Sequence, residues 1–323
     1  MEMRHFFKWC IGVLYASAAI SVCAQEVPIS VLVGLPPGGA SDTLARLVSN
    51  QLGQELNRTF VIENRPGASG TIAAQTVARA KPDGNTLLFT PSTHSTNAVL
   101  YPKLAYDTKK DFKAVGVVAS TPYVLVVHPS VPANNLDELL AYLRAQKQKA
   151  FFATASAGSS QHISVALLSQ LTGIDHIQLV HYKGSAAALP DVLSGRVPMM
   201  FDNIALMLPY IKEGRLRPVA VTSRQRFSLL KDVPTIAESG FPDFEVTGWF
   251  GLLAPNHTPD AVIARLATAL KAVRANPEFA AKVRDIGGVP VASGVTEGDA
   301  DDFIHSDIDR MRRIIDKAGI KLE

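Results

Sequence analysis

Short apolar runs alternate with amphipathic segments along this sequence, and the alternation starts a second time near residue 124. The first apolar runs lie at 29–33, 60–64 and 86–90, and turns and stretches with helical periodicity separate them. A crossover helix returns the chain to the same end of a sheet, so the next strand lies parallel to the one before. The pattern therefore predicts a parallel α/β sheet with helices on both faces.

The second series of strands occupies the middle of the chain and is followed by an extended segment at 245–253. Beyond that segment the sequence shows helical patterns only, and the last one places Phe303, Ile308 and Ile315 on one face. Helices with an apolar face need a sheet to cover, so we expect the chain to return to the first sheet. The apolar runs of the second series lie at 124–128, 150–155, 177–180, 197–201 and 218–222.

Two series of strands and a helical end predict two α/β lobes around a central ligand cleft. The chain has 323 residues, more than one ordinary core accommodates. We expect the lobes to be joined by two crossings, near 123–128 and 246–252. Lobe 1 would consist of residues 25–125 and 247–323, and lobe 2 of residues 126–246.

The first residues of the chain have the pattern of an export signal. A short basic start precedes an apolar run at 9–20, which is too short to span a bilayer comfortably, and a small-residue cleavage site ends at Ala24. We expect residues 1–24 to be a signal peptide that is removed, and the mature protein to be periplasmic. A retained anchor helix and a lipid attached to Cys23 are the alternatives.

Composition excludes several classes of function. Cys10 and Cys23 are the only cysteines and both lie in the expected signal, so the mature protein would have no disulfide and no thiolate metal site. The formal net charge is +3 without a basic stripe, so we expect no nucleic-acid partner. No metal-binding histidine motif, phosphate loop or dinucleotide motif occurs, and we expect a monomer with no metal and no cofactor.

Ligands of open α/β sheets bind beyond the carboxyl ends of the strands. The turn at 35–42 follows the first strand, and its residues Gly38 and Gly39 allow the backbone to approach a ligand closely. The free N–H groups at the helix start that follows favour an anion. A plain turn in which Ser41 or Asp42 only caps the helix fits the same spacing, and it is compatible with a ligand seat.

Four more turns at strand ends are rich in hydrogen-bonding side chains. Asp202, in the last of them, could accept a hydrogen bond from a ligand ammonium or hydroxyl group, or it could cap the helix that starts at Ile204. Lys183 brings the only lysine or arginine to the five turns, so anion capture would rest on backbone N–H groups, hydroxyls and water. The four turns lie at 91–97, 156–162, 182–185 and 202–203.

A hydrolase is a further hypothesis, because Ser159 and Ser160 lie in these turns with His162 and Asp202. Ser160 and His162 are two positions apart, however, and would project from different faces of a helix. Residues 67–70 have one residue too few for the G-x-S-x-G turn of hydrolases. We therefore expect a binding protein without enzymatic activity.

Nine short motifs follow one another in order along the mature chain. They are PPGGASD at 36–42, ENRPGA at 63–68, KPDG at 81–84, LYPK at 100–103, DF at 111–112, HYKGS at 181–185, FDN at 201–203, VPT at 233–235 and WFGLLAP at 249–255. In this combination the sequence closely resembles the substrate-binding proteins of tripartite tricarboxylate transporters, the Bug family.

The resemblance implies a periplasmic binding protein of the type II fold whose lobes close over a small carboxylated ligand. A dicarboxylate, a tricarboxylate, an amino acid or an aromatic acid would fit, and membrane transporter subunits would receive the ligand. A ligand-dependent sensor partner of a receptor or two-component system would use the same cleft. Together with Lys183 from the turns, the matching positions name the candidate ligand-binding residues Pro37, Gly38, Gly39, Ala40, Asp42, Ser92, Thr93, Ser159, Ser160, His162 and Asp202.

Two residues depart from the family pattern. Gly34 stands where the family usually has proline, and His181 precedes Tyr182 where proline is also usual. The second departure places a titratable group near the expected cleft, so a standard ligand is not assumed.

Overall fold

The computed structural model describes residues 27–146, 150–155, 157–182, 184–291, 300–318 and 320. The expected signal at 1–24 and the candidate residue Lys183 lie outside the described residues. Within the described ranges, no helix is both long enough and apolar enough to cross a membrane.

The first part of the chain alternates strands and helices as the periodicity predicts, and it ends in one long strand. The elements in chain order are β1 Ile29–Val33, α1 Ala40–Leu56, β2 Phe60–Asn64, α2 Thr71–Ala78, β3 Thr86–Pro91, α3 Thr93–Leu100 and β4 Phe112–Val127.

The middle of the chain repeats the alternation, and the end is mainly helical. The middle elements are α4 Leu136–Ala145, β5 Ala150–Thr154, α5 Ser160–Thr172, β6 Ile177–His181, α6 Ser185–Leu193, β7 Met199–Asn203, α7 Ile204–Lys212 and β8 Arg217–Val221. The final elements are β9 Thr247–Pro255, α8 Asp260–Ala275, α9 Pro277–Asp285, β10 Val289–Pro290 and α10 Ala300–Ala318.

The strands form two sheets that share β4. In the first sheet the order is β2-β1-β3-β9-β4, and β10 pairs with β4 as well. In the second sheet β4 lies between β8 and β7, and β5 and β6 follow β7. We call the part of the molecule built on the first sheet lobe 1 and the part built on the second sheet lobe 2.

The chain passes between the sheets at two neighbouring points. Pro122 still pairs with Thr247 in the first sheet, whereas Tyr123 already pairs with Asn203 in the second. On the way back, Val246 donates its N–H to the carbonyl of lobe 2 residue Thr222, at 3.2 Å, directly before Thr247 enters the first sheet. The lobe boundaries at 125/126 and 246/247 stay a prediction.

The sheets differ from the predicted parallel arrangement because β9 runs antiparallel to both β3 and β4, and β4 runs antiparallel to β7 and β8. The first three quarters of β4 were not predicted, since Gly116 and Pro122 interrupt its apolar pattern. The expectation that only helices follow β9 is wrong, because β10 adds two residues to the first sheet.

Helix α10 contributes to the cores of both lobes. Ile304 and Ile308 in its first half pack in one apolar cluster with Trp249 of lobe 1. Met311 and Ile315, further along the helix, pack in the cluster that forms the core of lobe 2. This helix therefore holds the lobes together beside the two strand crossings.

Candidate functional site

The carboxyl ends of strands from both lobes face one another beside the crossings. Ser92 follows β3 in lobe 1, and Ser160 begins α5 after β5 in lobe 2. With Thr96 and Ile163, the two serines line a cavity of about 10 Å³, which is room for about one water molecule. The structure thus brings together two candidate residues that are distant in sequence and belong to different lobes.

The glycine-rich turn of lobe 1 is shaped by Asp42. One carboxylate oxygen of Asp42 accepts the N–H of Gly38 at 2.9 Å, and the other accepts the side-chain amide of Asn64 at 3.0 Å. Gly38 has a φ of +82°, which glycine adopts without strain. Arg46 also contacts both carboxylate oxygens, and its hydrogen bond is the largest factor that holds the pKa of Asp42 below its usual value.

Asp42 is therefore fully engaged inside lobe 1, and the exposed turn residues are what a ligand would meet. The N-cap residue of α1 is Gly39, and no side chain caps the first turn of the helix. The first N–H groups of a helix have no carbonyl partner within it, so this end attracts an anion. The exposed candidates here are Pro37, Gly38, Gly39 and Ala40.

Tyr123 lies where β4 passes from one sheet to the other, and its hydroxyl is hydrogen-bonded to Ser160. A Cβ atom on Gly248 would lie 2.8 Å from this hydroxyl and 3.4 Å from the Oγ of Ser92. Burial raises the pKa of Tyr123 to about 12, so the hydroxyl keeps its proton and stays a hydrogen-bond donor. The space between these two hydroxyl groups therefore stays open only because position 248 is glycine.

The start of α5 presents neutral donors from lobe 2. Ser159 is the N-cap residue, and its Oγ accepts the N–H of His162 at 3.4 Å. The Nδ1 atom of His162 accepts the N–H of Gly158 at 3.0 Å, so the ring hydrogen lies on Nε2. Burial, and to a smaller extent neighbouring His181, lowers the pKa of His162 to about 4. His162 is therefore an uncharged donor at neutral pH.

Asp202 lies on the other side of the α5 start and is only 2% exposed. Its Oδ1 accepts the N–H of Asn203 at 2.7 Å and the side-chain amide of Gln161 at 3.3 Å, and Ser185 also hydrogen-bonds to the carboxylate. Within the described part of the chain, Oδ2 has no hydrogen-bond partner. Burial raises the pKa of Asp202 to about 6.

The alternative that Asp202 caps the following helix is wrong. The N-cap residue of α7 is Asn203, whose Oδ1 accepts the N–H of Ala205 at 2.8 Å. Asp202 instead joins the α5 start to the α6 start through Gln161 and Ser185, which are themselves 3.2 Å apart. One carboxylate oxygen is left over, and it can accept a hydrogen bond from water or from another donor.

The predicted residues do not all come together. Ser160 faces Tyr123, whereas His162 faces His181 with 5.1 Å between the ring centroids, so these two residues do not form the hydrogen-bonded pair that a hydrolytic triad requires. Thr93 is the half-buried first residue of α3, and the predicted turn at 91–97 is in fact mostly helix. The residues that sequence reasoning did not place in the site are Tyr123, Gln161, Ser185 and Gly248.

No metal centre is found in the described ranges, where no three histidine, cysteine, aspartate or glutamate side chains lie as they would around an ion. At His162, Nδ1 accepts the N–H of Gly158 and Nε2 carries the ring hydrogen, so in this tautomer neither ring nitrogen offers a free lone pair to a metal.

Two α/β lobes joined by crossing strands, with helix starts facing each other at the cleft, define a two-lobed solute-binding protein. The family described as "Tripartite tricarboxylate transporter family receptor" matches residues 44–320. The chain belongs to this family of periplasmic solute-binding proteins, which confirms the resemblance derived from the motifs. A curated relative is Protein BugT of Bordetella pertussis strain Tohama I, which is 33% identical, with 97% of each chain covered.

Solved structures confirm the predicted fold. The Rhodopseudomonas palustris protein Rpa4515 with adipate is 35% identical and superposes with a TM-score of 0.80, over 91% of this chain and 98% of its own. MatC from the same organism, with bound malate, is 31% identical and has a TM-score of 0.75, over 89% of this chain and 98% of its own. Both neighbours are two-lobed proteins crystallised with a small dicarboxylate.

Proposed function

We propose that this protein is exported to the periplasm, captures a small carboxylated ligand between its lobes and delivers it to the membrane subunits of a tripartite tricarboxylate-type transporter. The observation that carries the proposal is the meeting of Ser92 from lobe 1 and Ser160 from lobe 2 in one cavity. A ligand held between these two serines would contact both lobes and so favour the closed arrangement over the open one. Because the cavity has room for only about one water molecule, the lobes would first have to separate to admit the ligand.

A carboxylate suits this site because the described walls offer donors without a free cation. The α1 start of lobe 1 and the α5 start of lobe 2 both present helix N–H groups, and Tyr123 adds a hydroxyl that is hydrogen-bonded to Ser160 at the α5 start. A micromolar complex needs only about −8 kcal/mol, which several such hydrogen bonds in a partly desolvated cleft can supply. The adipate and malate bound to the neighbours support this class of ligand.

The function can be tested by titration of residues 25–323 with mono-, di- and tricarboxylates, amino acids and aromatic acids. Trp249 is the only tryptophan beyond the expected signal, lies in β9 directly after the return crossing and is 1% exposed. Its indole N–H donates to Asp307 of α10 at 2.8 Å, so lobe closure should change its emission. We expect one ligand class to give a saturable emission change and a rise in melting temperature.

Variants connect the titration to the proposed site. Ser92→Ala and Ser160→Ala should each weaken binding of the ligand that is found, by about tenfold for one lost hydrogen bond to a charged group. Ser194→Ala is the matched control, because Ser194 is exposed after α6 and its hydroxyl donates to the carbonyl of Asp191. Silence of both signals over the whole panel, with folded protein free of co-purified ligand, would contradict the proposal.

Delivery to a transporter is tested separately from binding. Labelled ligand should enter membrane vesicles that contain the transporter's membrane subunits only when the protein is present. Ligand-dependent capture of a receptor ectodomain, without any uptake, would favour the sensor function instead.

A further inference from the structure

The imidazole ring of His181 is on the surface of lobe 2 and is not part of the carboxylate-binding site proposed above. It is the last residue of β6, it is exposed, and it pairs in register with Thr154, the last residue of β5. The Nδ1 atom of His181 lies 2.6 Å from the Oγ1 of Thr154, which is 0% exposed. One ring nitrogen is therefore fixed by the wall of the lobe, and Nε2 is left for another partner.

The position of His181 relative to the seat follows from His162. The two rings are tilted with their centroids 5.1 Å apart, and His162 belongs to the first turn of α5, whose N-terminus is the proposed seat. His181 therefore stands next to the seat without being part of the helix start. A ligand carboxylate bound at the helix start would need a second polar group further along its chain to reach His181.

The two sides of the α5 start differ in the hydrogen-bonding groups that they offer to a ligand. On the Gln161 side the acceptor Asp202 is buried, and it already takes hydrogen bonds from Gln161, Asn203 and Ser185. On the His162 side the exposed ring of His181 carries no acid as a hydrogen-bond partner among the described residues. When the Oγ1 hydroxyl of Thr154 donates to Nδ1, the ring hydrogen of His181 lies on Nε2, and a donor there favours an acceptor on the ligand, such as a carboxylate or hydroxyl oxygen.

We propose that His181, held by Thr154 beside His162, contacts the second oxygen-bearing group of the bound carboxylate and sets a preference for ligands with acceptors at both ends. The proposal rests on the function proposed above and adds a residue that determines specificity. A dicarboxylate would then use the helix starts for one end and the His181 ring for the other.

Calorimetric titrations with adipate and hexanoate test this role, because the two acids have the same chain length and differ in the second carboxylate. We expect the protein to prefer adipate by about tenfold or more, the effect of one hydrogen bond to a charged group. His181→Ala should remove most of this preference through weaker adipate binding, and should change hexanoate binding less than about twofold. His181→Gln keeps an N–H donor and should retain adipate binding within about threefold.

His176→Ala is the matched control, because His176 lies in the turn before β6 and its Nε2 contacts the carbonyl of Leu143 at 2.8 Å. It should leave both affinities unchanged. Thermal melting of each variant shows whether a change in affinity comes from loss of the fold.

Three results would overturn the role of His181. The first is equal affinity for adipate and hexanoate, the second is an adipate preference that survives in His181→Ala, and the third is no binding of either acid. Binding of an amino acid or aromatic acid in the wider panel would then leave the proposed function standing. Silence across that whole panel would count against the function itself.

Discussion

Lobe 1 and lobe 2 each have a buried aspartate near the end of a strand, Asp42 and Asp202, and the pKa values of the two carboxyl groups are shifted in opposite directions. Asp42 of lobe 1 has donors on both carboxylate oxygens and an arginine beside it, and its pKa is lowered. Asp202 of lobe 2 has donors on Oδ1 and none on Oδ2 in the described structure, and burial raises its pKa to about 6. Asp42 lies in the first turn of α1, after β1, and Asp202 lies near the carboxyl end of β7.

The difference lies in what each carboxylate is bonded to. Asp42 accepts hydrogen bonds from Gly38 of the turn and from Asn64 at the end of β2, so both of its carboxylate oxygens help to fix the structure of lobe 1. Asp202 connects two helix starts in lobe 2, and among the described residues its Oδ2 atom is still available as a hydrogen-bond acceptor. A buried acid at a strand end therefore does not by itself identify a ligand contact, because only the count of its partners separates a structural carboxylate from an available one.

Removal of Asp42 should have the largest effect. Asp42→Ala leaves the N–H of Gly38 and the amide of Asn64 without their acceptor and Arg46 without its ion pair. We expect a loss of about 3–4 kcal/mol in the free energy of unfolding, measured in denaturant, because several hydrogen bonds to one buried, charged acceptor are lost together.

Asp309→Ala is the control for Asp42, since the side chain of Asp309 is 52% exposed in a surface ion pair with Lys109. Such pairs contribute at most about 1 kcal/mol. If Asp42→Ala costs no more than Asp309→Ala, the carboxylate of Asp42 is not what shapes the turn, and the comparison between the two aspartates fails.

Asp202→Asn should change how stability depends on pH. Burial raises the pKa of Asp202 from its ordinary value of 3.8 to about 6, so between these values the folded protein binds a proton that the unfolded chain has lost. The stability contributed by Asp202 is then present at low pH and is lost as pH rises through about 6. The variant has no such loss, so its stability relative to the native protein should rise by about 2–3 kcal/mol between acid and neutral pH.

The measurement is the difference in unfolding free energy between the two proteins across that pH window. Burial lowers the pKa of His94 and of His162 to about 4, and these groups make both proteins more stable as pH rises. Their contribution cancels in the difference, which isolates Asp202. If this difference in unfolding free energy does not change with pH, burial does not raise the pKa of Asp202, and the contrast with Asp42 is lost.

Much of the fold could be predicted because local patterns determine it. The strands Ile29–Val33 and Phe60–Asn64 agree with the predicted runs, since each is an apolar segment bounded by turn residues. Helix α3 could not be predicted in the same way, because the side chains on its buried face, from His94 to Asn97, are polar. A helix without an apolar stripe gives no periodic signal.

The sequence marks the candidate residues that stand in turns, and it does not mark those whose position depends on contact between the lobes. Ser159, Ser160 and the glycine-rich turn stand at helix starts, which the sequence marks. Tyr123 and Gly248 lie within strands, and their role appears only when β4 and β9 bring lobe 1 and lobe 2 together. The unpartnered oxygen of Asp202 has no local signature either, because it results from the packing of α5 and α6 against β7.

The smallest predicted effect tests how closely lobe 1 is packed behind its turn. Gly34 lies directly after β1, and a Cβ atom there would come within 2.5 Å of the Cα of Gly70. Because the obstacle is backbone, Gly34→Ala should cost about 1–2 kcal/mol of unfolding free energy as the two turns move apart. Gly39→Ala is the matched control, where the nearest atom to the new Cβ would be the carbonyl oxygen of Pro36 at 3.8 Å, and it should cost less than about 1 kcal/mol.

The pair of variants decides whether the wall of lobe 1 is rigid or adaptable. If Gly34→Ala is as stable as Gly39→Ala, the turn can move away from Gly70 without cost, and the hydrogen bonds of Asp42 do not fix it in one place. If the cost is confined to Gly34→Ala, the turn is held from behind by Gly70 and from within by Asp42. Closure over a ligand would then leave the turn unchanged and would bring the α5 start of lobe 2 toward it, beside the Oδ2 atom of Asp202, which has no partner among the described residues.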